Sequence, residues 1–280
     1  MSKSMKKIFL FLFFILATVN AKATSHVFYN FSSHNFLIEN NRKIIRPIAS
    51  ITKLITAMTV IESKVNLEEV VKVNGRSNGF VPQGTLMTRM DLIKAMIVSS
   101  DNRAAETLAN HHPGGFLMFI HDANKLLENK GLHDTKIVDS SGLLPGNIST
   151  ATELIELLSL IKDNKIILSV AGERQTSINI PKGKKNITIN LRNTNPEIFS
   201  YDNILISKTG YTNLAGRCVL MLIEKNKELF GVVILGQKTV TERSKLVKEI
   251  LSVNYLPIVR PIFKTTITDF DLSLNETFTK

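Results

Sequence analysis

The chain has 280 residues, of which 44% are hydrophobic and 21% are charged. This composition fits one sizeable globular domain, or two lobes that share a core, and it argues against a disordered chain. The formal net charge is +11, but the sequence has no concentrated basic stripe with interleaved aromatic residues, so nucleic acid is not expected as a partner. Cys218 is the only cysteine, which excludes an intrachain disulfide, and the apolar run around it predicts a small buried hydrophobic residue.

Residues 1–23 have the pattern of an export signal. Three lysines precede an apolar run over 8–19, and Ala-Lys-Ala at 21–23 fits the small-x-small site of a signal peptidase. We therefore predict a cleaved signal peptide and export to the periplasm or outer cell wall. The apolar run is short for a bilayer span, and an uncleaved anchor is the alternative. Without the four lysines of this segment the chain has 31 basic and 24 acidic residues, a net charge of +7 that suits an anionic cell wall or lipid surface.

The first part of the mature chain is predicted to contain a hairpin followed by helices. The runs HVFYNF and NFLIEN indicate two short strands joined by a Ser-Ser-His turn. A helix is expected from about Ile48 to Glu62, because apolar residues recur there at helical spacing after a proline. Further helical patterns cover Arg89 to Asn110 with an interruption at Ser-Ser-Asp-Asn, Phe116 to Asn129 before Gly131, and a segment from Ser149 or Thr150 to about Ile161.

The last third of the sequence changes to strands. The runs NILISKTG, GRCVLMLIE and ELFGVVILGQ are separated by short turns, which is the spacing of consecutive antiparallel strands, and a closing helix is expected over about 240–253. The simplest assembly is an α/β protein of the α+β type, in which the N-terminal hairpin and the three late strands form an antiparallel five-stranded sheet flanked by helices. An all-helical lobe is inserted between them, and a cleft between the lobes is expected.

Domain boundaries follow from this assembly. We predict one domain over 24–255, with a sheet lobe built from both ends of the chain and a helical lobe over about 65–165. Residues 256–280 contain several threonines and stay unassigned. That tail shows no apolar stripe of helical period with a basic face, so no stable membrane anchor is predicted.

The segment PIASITKL places Ser50 and Lys53 three residues apart near the start of a predicted helix. Residues i and i+3 share a helix face, so the pair could be a nucleophile and its base, or simply a hydroxyl and an ammonium on a solvated face. A serine hydroxyl needs a base to act as a nucleophile at neutral pH. Lysine can serve when burial and a second cation, here Lys208, disfavour its charged form. A helix N-terminus would add a free backbone N–H for a developing oxyanion.

Two later motifs extend this pair to a set of three. The triplet Ser-Asp-Asn at 100–102 follows about fifty residues later, and Lys-Thr-Gly at 208–210 lies on the first strand of the late sheet. The three motifs in this order occur in penicillin-binding proteins and class A β-lactamases. The chain resembles the serine D-alanyl-D-alanine peptidases among the low-molecular-mass penicillin-binding proteins, and within them the endopeptidases. The resemblance is carried by RPIASITKLITAM, LMTRMDLIKAMIVSSDNRAAETLA, HHPGGF, SSGLLPGNISTATEL, LRNTN and KTGYTNLAGRCVLM.

The resemblance implies a β-lactamase/transpeptidase-like fold and a catalytic role for several motif residues. Ser50 would be the acylated nucleophile and Lys53 its base. Ser100 would relay a proton towards the leaving amine. The backbone N–H groups of Ser50 and Tyr211 would form the oxyanion hole.

The same resemblance implies a binding site for peptidoglycan peptides. Asn102 would hold the amide backbone of the substrate, while Lys208 and Thr209 would bind the carboxylate of the leaving D-residue. Gly210 would let the strand approach the substrate closely. β-Lactams would act as covalent inhibitors at this site.

No metal or other cofactor is implied. The sequence has no HExxH motif, and the adjacent residues His111 and His112 have a spacing that does not easily place both rings on one ion. We expect them to be loop or helix-end histidines.

Three alternatives stay open. A class A β-lactamase needs a glutamate-activated water, but no Glu-x-x-Leu-Asn stands between Asn102 and Lys208, so we expect slow hydrolysis of a penicilloyl adduct. A carboxypeptidase would trim a terminal D-alanine instead of cutting cross-links; the motifs do not separate the two, and the short tail favours the endopeptidase. A wall-associated scaffold that binds without turnover is disfavoured, because every catalytic position holds a competent residue type.

Overall fold

The computed structural model describes residues 24–182 and 185–253. The predicted signal peptide over 1–23 and the predicted tail over 256–280 lie outside the described residues. Within the described part, no helix has both the length and the apolar character that a membrane span requires.

The described part of the chain contains eleven strands and seven α-helices. The strands are β1 (Ser25–Asn30), β2 (Asn35–Asn40), β3 (Arg46–Pro47), β4 (Val70–Lys72), β5 (Leu86–Thr88), β6 (Ile148–Ser149), β7 (Gln175–Lys182), β8 (Lys185–Arg192), β9 (Ile204–Thr212), β10 (Gly216–Lys225) and β11 (Glu228–Gln237). The helices are α1 (Thr52–Glu62), α2 (Arg89–Val98), α3 (Asn102–Asn110), α4 (Gly115–Asn129), α5 (Ala151–Ile161), α6 (Lys165–Ala171) and α7 (Val240–Ser252).

A five-stranded antiparallel sheet joins the two ends of the described chain. Its spatial order is β2-β1-β11-β10-β9. The register places Val27 of β1 opposite Val233 of β11, and Leu220 of β10 opposite Lys208 of β9. The predicted sheet, built from the N-terminal hairpin and the three late strands, is confirmed.

This sheet is packed on both faces. Successive side chains of a strand point to opposite faces, so Cys218 and Leu220 of β10 contribute to one apolar cluster while Val219 and Met221 contribute to another. Helix α5 packs against β1 and β11 on the first face, and α7 packs against β10 and β11 on the second. A fully buried aliphatic side chain contributes roughly 1.5–3 kcal/mol to stability. Burial on both faces therefore holds β9 and β10 firmly in place.

Helix α1 lies at the centre of the molecule. All its side chains from Thr52 to Val60 are buried, and it packs against α2, α3, α4 and α6. A 3-10 turn over Ala49–Ile51 leads into it and packs against β9 and β10. Ala49 has a φ of 46°, which is a strained conformation for a residue with a side chain. The predicted helix start near Ile48 is therefore a 3-10 turn that runs into α1.

The middle of the chain is mainly helical, as predicted, but it also contains small sheets. Strand β3 pairs with β6, β4 with β5, and β7 with β8. Neither these three pairs nor the short helix α6 was predicted from the sequence. The strands of the first two pairs have only two or three residues each, which is too short to show a period of two in the sequence.

Candidate active site

Ser50 and Lys53 meet at the junction of the 3-10 turn and α1. The Nζ atom of Lys53 lies 2.9 Å from Ser50 Oγ. Ser50 is in the turn and Lys53 is in the first turn of α1, so the spacing of three residues brings both side chains to the same face. The structure thus places this pair in hydrogen-bond contact rather than on a solvated face.

Lys53 is fully buried and makes two further contacts. Its Nζ lies 2.7 Å from both Asn102 Oδ1 and the carbonyl oxygen of Ser141. Both of these atoms can only accept hydrogen bonds. A neutral amine therefore donates its two N–H groups to them and turns its lone pair towards the hydroxyl of Ser50, which is the arrangement that a general base requires.

The pKa of Lys53 is lowered to about 7, first of all because burial penalises the ammonium. The negative charges of Asp139 and Asp101 act in the opposite direction and raise the pKa. Burial, one of the two causes expected from the sequence, is thus the leading one, whereas Lys208, the other expected cause, is not among the groups that shift this pKa. At neutral pH a large fraction of Lys53 is in the neutral form, which can accept a proton.

The triplet at 100–102 is held by its central residue. Asp101 is the N-cap of α3 and accepts the backbone N–H of Ala104 at 2.7 Å through Oδ1. Its Oδ2 accepts the backbone N–H of Phe80 at 2.6 Å. Ser100 has a left-handed φ of 59°, which turns the chain sharply before α3. As a result, Ser100 and Asn102 both line the cleft above Ser50.

Lys208 on β9 is the second buried lysine of the site. Its Nζ donates to Ser100 Oγ at 3.0 Å and to the carbonyl oxygen of Thr209 at 3.1 Å. Burial lowers the pKa of Lys208 well below its ordinary value, and the nearby charge of Lys53 lowers it further. Burial and the neighbouring lysine thus both disfavour the charged form of Lys208.

The rest of the motif on β9 forms one wall of the cleft. The hydroxyls of Thr209 and Thr194 lie 2.6 Å apart. A Cβ on Gly210 would lie 2.9 Å from the Ser50 nitrogen, and Tyr211 is exposed, with its hydroxyl donating to Asn213 Oδ1 at 2.9 Å. Gly210 therefore permits a close approach of β9 to the turn that carries Ser50. The expected close approach to the substrate stays a prediction.

A loop opposite α1 supplies groups that the sequence analysis did not predict. The carboxylate of Asp139 accepts the backbone N–H groups of Ser141 and Gly142 at 2.7 and 2.6 Å. The side chain of Asn147 donates to Thr52 Oγ1 at 3.1 Å, which ties the loop to α1. These bonds fix the Ser141 carbonyl beside Lys53. The segment SSGLLPGN contributed to the resemblance, but a backbone carbonyl has no signature of residue type in the sequence.

The cleft has a volume of about 330 Å³. All predicted residues of the site except the two buried lysines line it, and both lysines contact lining residues. It is also lined by two arginines, Arg217 and Arg243, which the sequence analysis did not select. Arg217 stood in a stretch that carried the resemblance, whereas no signal marked Arg243. The other lining residues are Leu143, Thr194, Pro196 and Val240.

The two adjacent histidines lie away from this cleft. His111 is the C-cap of α3, and its Nε2 contacts the carbonyl oxygen of Lys72 at 2.9 Å. His112 Nε2 lies 2.9 Å from Asp122 Oδ2. Across 24–182 and 185–253, no group of three or more His, Cys, Asp or Glu residues has the arrangement of a metal site.

The fold is shared with DD-transpeptidases. The crystal structure of a DD-transpeptidase from Streptomyces matches this chain with a TM-score of 0.76 and 22% sequence identity, over 82% of this chain and 95% of that one. A likeness at this identity establishes the fold class, a mixed α and β architecture around a five-stranded antiparallel sheet.

Sequence comparison identifies the family. Residues 15–239 match the peptidase family described as D-alanyl-D-alanine carboxypeptidase, and the chain belongs to this family. The D-alanyl-D-alanine endopeptidase of Escherichia coli is 34% identical over 214 residues, which are 73% of this chain and 68% of the relative. The Pseudomonas aeruginosa endopeptidase is 35% identical over 71% of this chain and 66% of its own length. The carboxypeptidase DacF of Bacillus subtilis is 25% identical over 90% of this chain and 65% of the relative. The resemblance inferred from the motifs is thus confirmed.

Proposed function

We propose that this chain is a serine peptidase that cuts D-alanyl bonds of peptidoglycan peptides through a covalent acyl-enzyme. The proposal is carried by the 2.9 Å contact between Ser50 Oγ and Lys53 Nζ, in which burial lowers the pKa of the lysine to about 7. A base whose pKa is near the working pH is about half deprotonated and still accepts a proton readily. Family membership and the endopeptidase relatives support the substrate class.

Acylation begins with proton transfer from the hydroxyl of Ser50 to neutral Lys53. Ser50 Oγ attacks the carbonyl carbon of the D-alanyl residue, and the electron pair of the carbonyl double bond moves to its oxygen. The backbone N–H groups of Ser50 and Tyr211 receive this oxyanion. The Ser50 nitrogen lies beside Gly210, the residue before Tyr211, which supports this pairing. Donors that are already in place stabilise the transition state without reorganisation.

Collapse of the tetrahedral intermediate breaks the C–N bond, and the leaving nitrogen takes a proton. Ser100 supplies it and recovers one from Lys208, which donates to Ser100 Oγ at 3.0 Å and whose pKa is lowered by burial. Thr209 and the remaining N–H of Lys208 bind the carboxylate of the leaving residue. The side-chain nitrogen of Asn102, whose oxygen is engaged by Lys53, holds the amide of the substrate.

Deacylation restores the free enzyme. A water molecule attacks the acyl carbon and gives its proton to Lys208, while Ser50 Oγ leaves and regains its proton from Lys53. A penicillin follows the same acylation route, because its strained amide presents a carbonyl and a carboxylate to the same groups. We expect the penicilloyl adduct to hydrolyse slowly, so β-lactams act as covalent inhibitors.

The preferred bond is a cross-link between two peptides, which makes the enzyme an endopeptidase. The two endopeptidase relatives are 34% and 35% identical to this chain, whereas the carboxypeptidase from Bacillus subtilis is 25% identical. Removal of a terminal D-alanine is the second candidate activity, because the family description names carboxypeptidases. Both reactions share the same acyl-enzyme.

The proposed place of action is the periplasm. This rests on the sequence pattern of 1–23, with its basic start, apolar run and small-x-small end. Peptidoglycan lies outside the inner membrane, so an enzyme that acts on it must be exported. Cleavage would then leave a mature chain that begins at residue 24 and contains the peptidase domain over 24–255.

The test is incubation of the mature chain with purified cross-linked muropeptide dimers and with monomeric pentapeptides, followed by chromatography and mass spectrometry. Conversion of dimers to monomers is expected. If only the terminal D-alanine is lost and the dimers stay intact, the enzyme is a carboxypeptidase and not an endopeptidase.

The matched control is Ser50→Ala, which keeps the cleft but lacks the attacking oxygen. It should form no products and no adduct with a labelled penicillin, whereas the wild type should gain one label. If the wild type gains no label and forms no products, no acyl-enzyme forms and the proposal is wrong.

A further inference from the structure

Arg217 and Tyr211 form a stacked pair at one end of the cleft. Tyr211 on β9 stands opposite Arg217 on β10 in the strand register, and the guanidinium carbon lies 3.6 Å from the centre of the ring. A cation over an aromatic face is attracted by the negative face of the ring. The contact holds the guanidinium in place while leaving its N–H donors at the ring edge open to other acceptors.

This end of the cleft has an excess of positive charge. Arg217 and Arg243 both line it, and no acidic side chain is among its lining residues in the described part of the chain. Glu197, which lies behind the wall, has an oxygen 3.5 Å from Arg243 Nη2. Burial lowers the pKa of Arg243, the charge of Glu197 raises it, and the smaller effect of Arg217 lowers it. An anion bound next to the two guanidinium groups would offset the repulsion between them.

Arg217 also has unused hydrogen-bonding capacity. Its Nε is buried, and among the described residues no hydrogen-bond partner is found for it. Buried donors without partners are rare in proteins. A ligand would have to bind the outer N–H groups of Arg217 rather than this buried Nε. The stacked geometry, the position in the cleft wall and the lack of an ion pair with any carboxylate of the described residues support such a site.

The space beside the pair is large enough for an extended ligand. A second cleft of about 560 Å³ shares Tyr211 with the first and is lined by Lys238 and by the β9–β10 turn residues Asn213 and Leu214. Lys238 adds another positive charge there. The side chain of Tyr211 therefore lies between the reaction site and a second cleft that carries a positive charge.

The distance between Thr209 and the Tyr211–Arg217 pair sets the length of side chain that the ligand needs. Thr209 and Tyr211 are two residues apart on β9, so their side chains share a face and lie roughly 7 Å apart along the strand. A leaving residue whose carboxylate is bound at Thr209 would need a side chain of about four carbons to reach Arg217. The methyl group of D-alanine is too short.

We infer that Arg217, held over Tyr211, is a specificity residue that binds a second carboxylate, carried on the side chain of the leaving D-residue. The inference rests on the proposed peptidase function and deepens it. The enzyme then prefers substrates whose leaving group is long and acidic, such as the second peptide of a cross-link, to substrates that release free D-alanine.

The experiment compares matched substrates of the form diacetyl-L-Lys-D-Ala-D-X. In one, X is D-2-aminoadipate, and in the other it is D-norleucine, which has a side chain of the same length without charge. The wild type should favour the aminoadipate substrate by about tenfold in kcat/KM, as expected for one charge-assisted hydrogen-bonded contact. Arg217→Leu should bring this ratio close to one, and Arg217→Lys should retain part of it.

The matched control variant is Arg42→Leu, which removes another arginine stacked on an aromatic ring, at 4.5 Å from the centre of Phe36 on β2. It should leave the ratio unchanged. Active sites are counted by penicillin labelling, so a loss of folded protein in one variant does not alter the ratio.

Three outcomes would overturn the inference. If the wild type hydrolyses both substrates equally well, or if Arg217→Leu keeps the preference, Arg217 does not read the side chain, although the peptidase function stands. If no variant hydrolyses either substrate and none is labelled by penicillin, the proposed function itself is refuted, and the inference falls with it.

Discussion

Gly142 lies directly against the backbone of Ala49. A Cβ on Gly142 would overlap the Ala49 carbonyl group and would lie 2.9 Å from the Ser50 nitrogen. Gly142 also has a φ of 85°, a conformation that glycine adopts without steric penalty. The loop that brings the Ser141 carbonyl to Lys53 thus rests on the turn that holds Ser50, and a residue without a functional group sets the position of the nucleophile.

Gly142→Ala should therefore damage both stability and the site. We expect a loss of about 3 kcal/mol or more in the free energy of unfolding, because backbone strain and a steric clash act together. The control is Gly131→Ala, since Gly131 has a similar φ of 81° but a Cβ added there would meet no atom within 4 Å. That change should cost only about 1 kcal/mol. Urea denaturation measures both, and equal losses would contradict the role of the contact.

The acylation rate should follow the titration of Lys53. Since burial lowers its pKa to about 7, the second-order rate constant for benzylpenicillin should rise about tenfold per pH unit at low pH and level off above pH 7. Stopped-flow measurement between pH 5 and pH 9 gives the midpoint. Lys53→Arg should lose about a thousandfold or more in rate, because a guanidinium stays protonated. A flat profile would remove Lys53 as the base.

Asp139→Asn should shift that midpoint to lower pH. The charge of Asp139 raises the pKa of Lys53 against the effect of burial, so removing it lets the pKa fall further. Asparagine keeps one acceptor oxygen for the backbone N–H groups of the loop. The control is Asp122→Asn, which removes a carboxylate beside His112, far from the cleft. A midpoint that moves upwards, or moves equally in the control, would show that Asp139 does not act through its charge.

Much of the fold could be predicted because its pattern is local. Strands β10 and β11 are long apolar runs between short turns, and α5 begins at a capping threonine, so the period and boundaries are visible in the sequence. The hairpin β7–β8 was missed although Ile178 and Ile180 alternate with exposed residues. That alternation could have predicted a strand.

The candidate site also has groups that the sequence predicts and groups that it does not. The three motifs could be found because each functional group is a side chain at a fixed spacing. The Ser141 carbonyl could not be found, because every residue has such a group and only the fold of its loop brings it to Lys53. Arg217 and Arg243 lie on β10 and α7 and meet only through the packing of that helix on the sheet.

Cys218 should be unreactive in the native protein. It is fully buried, and burial raises the pKa of its thiol to about 11, so little of the reactive thiolate forms. Ellman's reagent at pH 8 should therefore react with one thiol per chain after unfolding in guanidinium, and far more slowly before. Fast reaction of the folded protein would show that β10 opens readily.

Lys53 should also make the stability of the protein depend on pH. Its pKa is about 7 in the folded chain and 10.5 as the ordinary value, so between these two values the unfolded state binds more protons. The free energy of unfolding then rises with pH across this window, by about 2 kcal/mol between pH 7 and pH 9 for this group. Urea denaturation at pH 7, 8 and 9 should show this rise in the wild type and a rise about 2 kcal/mol smaller in Lys53→Met. Parallel curves for the two proteins would mean that the pKa of Lys53 is not lowered by folding, and the lysine would then be too strongly protonated to act as the base.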